Sequence, residues 1–159
     1  MKRRVDVVTA TPLKASLHEQ SKLVRLIEKG LAALLEIDRT RIAGDLRSRF
    51  QDSLNLDDAL RADYQNANRW DYLLSYNGAF VLAIEVHTAN TSEVSVLIKK
   101  KRAAEIQLQG HLRPTGQIKK WIWISSGAVT IPQLDRARAR LAQEGITLVG
   151  RELTAKHVP

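Results

Sequence analysis

The dipeptide Asn77-Gly78 is flanked by two runs of strand-forming residues, Trp70 to Tyr76 and Ala79 to His87. Asn-Gly accepts the positive φ angles of a tight turn at little cost, and Tyr, Leu, Phe, Val and Ile fit a pleated, half-buried surface. An antiparallel hairpin is predicted here, and the rest of the fold must be built around it. Upstream, Leu17, Val24, Ile27, Leu31, Leu34 and Leu35 recur at helical spacing, which predicts one long amphipathic helix over Ser16 to Ile37. A second, more polar helix is expected over Arg41 to Phe50, and a short helical turn over Leu56 to Asp63. An early strand is expected near Val5 to Val8 or after the first helix.

Downstream, Asn90 followed by Glu93 marks a helix start of capping-box type, and Gly110 ends that helix after about Gln109. Lys120 to Ser125, containing Trp121-Ile122-Trp123-Ile124, reads as a buried central strand. Pro132 opens a helix that runs to Glu144, Gly145 closes it, and Ile146 to Leu153 forms a last strand. The tail from Thr154 is expected to be loose. This order predicts a single α/β domain, a mixed central sheet flanked by helices.

Composition narrows the function classes. The chain has 159 residues, 44% hydrophobic and 26% charged, which suits one soluble domain with a core of its own. With Cys 0, disulfide scaffolds, cysteine zinc sites and thiol nucleophiles are excluded. Met1-Lys2-Arg3-Arg4 is similar to the start of an export signal, but Val5-Asp6-Val7-Val8-Thr9 does not extend into an apolar run, and no stretch is long enough to span a membrane. A cytoplasmic protein is expected.

Twenty-five Lys and Arg against seventeen Asp and Glu leave a net charge of +8, which favours polyanions and makes nucleic acid the first expected partner. The charge is concentrated. From Ser95 to Lys120, Lys99, Lys100, Lys101, Arg102, Arg113, Lys119 and Lys120 stand against Glu105 alone: seven cations less one acid, or +6. From Gln51 to Asp71, five acids face two arginines, or −3. Lys99, Lys100, Arg102, Arg113, Lys119 and Lys120 are the expected phosphate contacts, with a plainly solvated helix face as the alternative for Lys99 to Arg102.

The hairpin carries the sharpest constellation. Asp71 opens its first strand, and Glu85 and His87, two residues apart, project from one face of its second. The opposite face carries Phe80, Leu82, Ile84 and Val86, an unbroken apolar set that belongs in a core. A strict two-residue turn would pair Asp71 with Ile84 and send the two acids to opposite faces. A type I turn with Gly78 left-handed and a G1 bulge adds one residue and restores Asp71 to the face of Glu85, and this bulge, or an equivalent bend at Asp71, is predicted. On the following helix, Lys101 and Glu105 share the inward direction of Val94, Leu97, Ile98, Ala104 and Leu108, while Lys99 and Lys100 point elsewhere. Lys101 is thus a candidate inward cation, or a snorkelling stem paired with Glu105. His18 and His111 lack partners at metal spacing, His157 lies in the tail, Ser125-Ser126-Gly127 lacks the glycines of a nucleophile elbow, and Trp121 and Trp123 read as packing residues, with base stacking beside Lys119 and Lys120 as the alternative.

Asp71, the Asn77-Gly78 turn, Glu85-x-His87, the basic helix and the Trp121 strand together resemble the PD-(D/E)xK nuclease superfamily, the restriction-endonuclease-like fold, over about residues 15 to 125. The resemblance implies a core of helix, three strands, helix and strand. It implies that Asp71 and Glu85 hold Mg²⁺ or Mn²⁺, joined by Glu28 from the first helix, whose alternative is a stem at the edge of the stripe with its head in water. His87 stands where the family has Lys; its imidazole, a better metal ligand than a fixed cation, would position the water or join the metal, or would mark a site that has lost activity. Some members supply that Lys from the next helix, so His87 or Lys101 would help activate the attacking water. The function so implied is metal-dependent cleavage of nucleic-acid phosphodiesters. The alternative is an inactive nuclease-like fold that binds nucleic acid or a protein partner, a second copy of the chain among them.

Overall fold

The computed structural model describes residues 10–159, so the strand expected near Val5 to Val8 lies outside the described residues. Among the described residues six strands form one sheet in chain order: β1 (Glu28–Lys29), β2 (Phe50–Asn55), β3 (Tyr72–Tyr76), β4 (Phe80–His87), β5 (Ile118–Ser125) and β6 (Ile146–Leu148). Neighbours from β1 to β4 are antiparallel, and β4, β5 and β6 are parallel. Among the described residues five helices accompany them: α1 (Pro12–Ser16), α2 (Glu36–Arg39), α3 (Leu56–Leu60), α4 (Glu93–Leu108) and α5 (Arg136–Gln143). Parallel neighbours need crossovers, which α4 and α5 supply. The protein is a single mixed-sheet α/β fold, as the element order predicts.

The sheet separates two cores. On one face Leu73, Val81, Ala83, Trp121 and Trp123 pack against Leu13 and Leu17 of the α1 region and Val94, Leu97, Ile98 and Ala104 of α4. On the other, Tyr72, Leu74, Leu82, Ile84, Ile122 and Ile124 meet Leu34, Ile42, Leu46 and Leu153, which come from largely irregular chain.

That division overturns the long first helix. Residues 16–37 form the end of α1, a 3-10 turn (Lys22–Leu26), β1 and a turn leading to α2. Leu17 and Leu23 belong to the first core, whereas Leu31 and Leu34 belong to the second. A straight helix cannot serve both sides of a sheet, so the chain rounds the β1 edge in short pieces. Ser21 caps the 3-10 turn by accepting from the Leu23 N–H at 3.2 Å, and Gly30 turns the chain with φ 57°. No helix covers Arg41 to Phe50 either: a 3-10 turn (Arg47–Arg49) leads into β2. Buried polar residues disguise that strand, since Ser53 Oγ accepts from the Ala33 N–H at 3.1 Å and Asp52 from the Thr11 hydroxyl at 2.5 Å. The short turn at Leu56 is present as α3.

In the hairpin, Tyr76 pairs with Phe80 and Tyr72 with Ile84, the register of the extra residue. The turn that achieves it differs from the expected one. Asn77 (φ 54°) and Gly78 (φ 63°) are both left-handed, the Ala79 N–H closes the turn on the Tyr76 carbonyl at 3.1 Å, and Ala79 is the additional residue. Downstream, α5 starts at Arg136, capped by Asp135 accepting from the Ala137 N–H at 2.8 Å, rather than at Pro132. The last strand is three residues long. The tail is not loose: His157 Nδ1 accepts from the Thr154 N–H at 3.0 Å, and Lys120 Nζ donates to the His157 carbonyl at 2.6 Å. Among the described residues no helix is long and apolar enough to cross a membrane.

Candidate active site

Asp71 immediately precedes β3 and, by the hairpin register, lies opposite Glu85 near the end of β4. Both side chains emerge on the α4 face. There the ladder continues through side chains: the Asp71 N–H donates to Glu85 Oε2 at 2.9 Å, and the Val86 N–H donates to Asp71 Oδ2 at 3.0 Å. Each strand thereby fixes the carboxylate of the other. Glu85 is fully buried and Asp71 partly so.

The cation that meets them is Lys100, whose ammonium donates to Glu85 Oε1. This corrects the expectation that Lys100 points away; Lys101 does turn inward, its side chain 14% exposed, but not towards the two acids. Lys101 instead pairs with Glu105 at 2.6 Å and lies 5.3 Å from the centre of the Trp121 ring. The centre of an apolar stripe marks where a helix meets its core and not where a polar site stands. Lys100 lies roughly 90° off that centre, on the flank where Gln107 Nε2 donates to the Asn68 carbonyl at 2.8 Å, and that flank faces the chain leading into β3. His87 takes its expected side, with Nδ1 3.8 Å from Glu85 Oε1, and Nε2 bonds Glu93 Oε2 at 2.6 Å. Glu93 escaped the sequence reading because a capping role accounted for it. Its side chain in fact turns to His87, and the helix start is held by Asn90 Oδ1 accepting from the Glu93 N–H at 3.2 Å.

Glu28 does not join the site. It lies exposed on the edge strand β1, opposite Ser53, which in turn opposes Leu74. That places it two strand spacings and three residues from Asp71, on the order of 14 Å. The expected phosphate contacts disperse as well. Lys99 is exposed on α4, Arg102 pairs with Glu144 of α5, and Arg113 Nε donates to the Leu17 carbonyl at 2.9 Å. Lys119 lies 5.6 Å from the Phe80 ring centre, and Lys120 is committed to the tail on the opposite face. The basic segment is therefore not a single clamp; its one member in the site is Lys100.

Electrostatically the site is short of positive charge. Burial first, then the neighbouring Asp71, push the Glu85 carboxyl up to about 8 against the pull of Lys100. Burial also raises Asp71, opposed by Lys100 and the Val86 N–H, with Asp38 and Asp57 adding to the rise. Among the described residues no three His, Asp or Glu side chains surround one point. Mg²⁺, however, commonly takes one or two carboxylates and completes its shell with water and substrate phosphate. Two hard-oxygen donors with unmet negative charge fit such an ion.

The raised Glu85 carboxyl has a measurable thermodynamic sign. Its folded value lies above the unfolded one, so the folded chain retains a proton that the unfolded chain releases. The stabilisation is complete below about pH 4.5 and is lost as pH rises towards 8, at about 1.4 kcal/mol per unit. The stability of the wild type minus that of Glu85→Gln, from urea midpoints at pH 5 to 8, is expected to fall by roughly 3 kcal/mol. Parallel curves for the two proteins would mean that Glu85 is ionised and satisfied in the fold.

Comparison of the chain with protein-family models, with curated proteins and with solved structures finds no match.

Proposed function

We propose that the protein is a metal-dependent nuclease that cleaves nucleic-acid phosphodiester bonds. The observation that supports this most is the meeting of Asp71, Glu85 and Lys100, from three separate elements, beneath α4. Asp71 and Glu85 would hold Mg²⁺ or Mn²⁺, and such an ion supplies Lewis-acid activation of a phosphate and of water. Lys100 takes the part of the motif Lys, reaching Glu85 from the helix rather than from the second residue after it. Its ammonium can orient an attacking water or neutralise charge that develops on the phosphate. The net +8 charge draws in the polyanion. A cysteine-free protein of this kind would work in the cytoplasm.

The test is incubation of purified protein with DNA and with RNA, in Mg²⁺, in Mn²⁺ and in EDTA. Cleavage that needs the ion and disappears in Glu85→Ala is expected; cleavage undiminished in that variant sinks the assignment. One observation favours a second reading, a nuclease-like fold used only to bind nucleic acid or a protein partner: both Glu85 oxygens already have donors, the Asp71 N–H and Lys100. Salt-sensitive binding of nucleic acid without any cleavage, and without need of a divalent ion, would select it.

A further inference from the structure

His87, the last residue of β4, has carboxylates on both sides of its ring. Nε2 lies 2.6 Å from Oε2 of Glu93, the first residue of α4, so a short hydrogen bond ties the ring to the helix. A neutral imidazole that donates from Nε2 leaves its lone pair on Nδ1, directed to the side of Glu85. Histidines that ligate metals are held in this manner, with the far nitrogen anchored by a carboxylate that fixes the tautomer and raises the donor strength of the near one.

The near side is not closed. Nδ1 stands 3.8 Å from Glu85 Oε1, beyond hydrogen-bond range, yet two donors that far apart can each approach about 2.1 Å from one ion between them. Lys100 places its ammonium on that same oxygen, which marks Oε1 as the atom a cation seeks. His87 is also partly open to solvent, its side chain 29% exposed, so an ion has a way in.

We infer that Glu85 and His87 together ligate a first-row transition ion in preference to Mg²⁺, with Glu93 as the positioning residue for the imidazole; this rests on the reading of Asp71 and Glu85 as metal carboxylates. Nitrogen donors suit transition ions, whereas Mg²⁺ favours an all-oxygen shell. The sequence reading leaves His87 open between positioning the water, joining the metal and marking a site that has lost activity. With Lys100 on Glu85, the imidazole is released for coordination.

The probe is Mn²⁺ added to the full chain. Pulsed electron paramagnetic resonance of the wild type is expected to show nitrogen-14 coupling to the bound ion, and His87→Ala to abolish it. By calorimetry, His87→Ala should weaken Mn²⁺ binding about tenfold or more and Mg²⁺ binding by less than about twofold; Glu93→Gln should weaken Mn²⁺ about tenfold. Unchanged urea midpoints exclude misfolding, and Glu93→Gln, which retains size and a hydrogen bond, serves if His87→Ala unfolds. The inference is overturned if the wild type binds no Mn²⁺, if bound Mn²⁺ shows no nitrogen coupling, or if coupling and affinity persist in His87→Ala. Cleavage with Mg²⁺ and no nitrogen coupling would remove the ligand and keep the nuclease. Nitrogen coupling without cleavage in any ion would do the reverse.

Discussion

Glu85→Ala is expected to lower metal-dependent cleavage by at least 10²–10³-fold, because it removes a preorganised group from a water-poor site where charge interactions are strongest. The carboxylate serves three partners at once: it accepts from the Asp71 N–H, receives Lys100 and faces His87 Nδ1. Its loss leaves Asp71 with only the Val86 N–H to hold it and Lys100 without its anchor. Folding should survive. The Glu85 carboxyl, raised to about 8, burdens the native state at neutral pH, and Lys100, whose side chain is 16% exposed, can swing its ammonium into water. Initial rates on DNA and RNA, beside urea midpoints at pH 8, separate the two effects. A variant that keeps its midpoint and its rate would show that Glu85 has no part in the chemistry.

Lys100→Met is expected to reduce cleavage by about 10²–10³-fold through loss of a fixed positive charge beside the reacting phosphate. The same change should tighten metal binding, since it uncovers Glu85 Oε1. Lys101→Met, on the neighbouring residue, should alter the rate less than about twofold, because that side chain is engaged with Glu105 and the Trp121 ring. Rates at saturating Mg²⁺ and calorimetric metal affinities for the two variants decide the matter. Equal losses in both would mean that bulk positive charge on α4 drives activity. Weaker metal binding in Lys100→Met would assign the lysine a role in building the site.

The local rules were legible where a residue serves one master. Asn77-Gly78 specified the hairpin, and the demand that Asp71 and Glu85 share a face specified its register, although the turn meets that register with two left-handed residues. Misreading began where one periodic run feeds two cores. Leu17, Leu23, Leu31 and Leu34 satisfy helical spacing, yet they divide between opposite sides of the sheet, which no single-chain periodicity records. Strand β2 was hidden by Asp52 and Ser53, whose burial depends on hydrogen bonds from Thr11 and Ala33, remote in sequence. The choice between Lys100 and Lys101 turned on which flank of α4 meets the start of β3, a matter of helix packing that apolar phase alone does not determine. Glu93 was concealed by its second plausible role at a helix start.

The sheet's strand order, identical to chain order, favours local pairings ahead of the crossovers. Asp71 and Glu85 are brought together by a tight hairpin, a contact of low loop-closure cost that can form within microseconds. Lys100 arrives only with the β4–α4–β5 crossover, a slower, non-local step. The two acids therefore meet in an open hairpin, before α4 buries them and brings their counter-charge. Burial is the first cause of the raised Glu85 carboxyl and comes with α4, so between about pH 5 and 8 unfolding should quicken as pH rises while refolding changes little, and the pH dependence of a candidate catalytic carboxylate is written into the speed at which the chain unfolds.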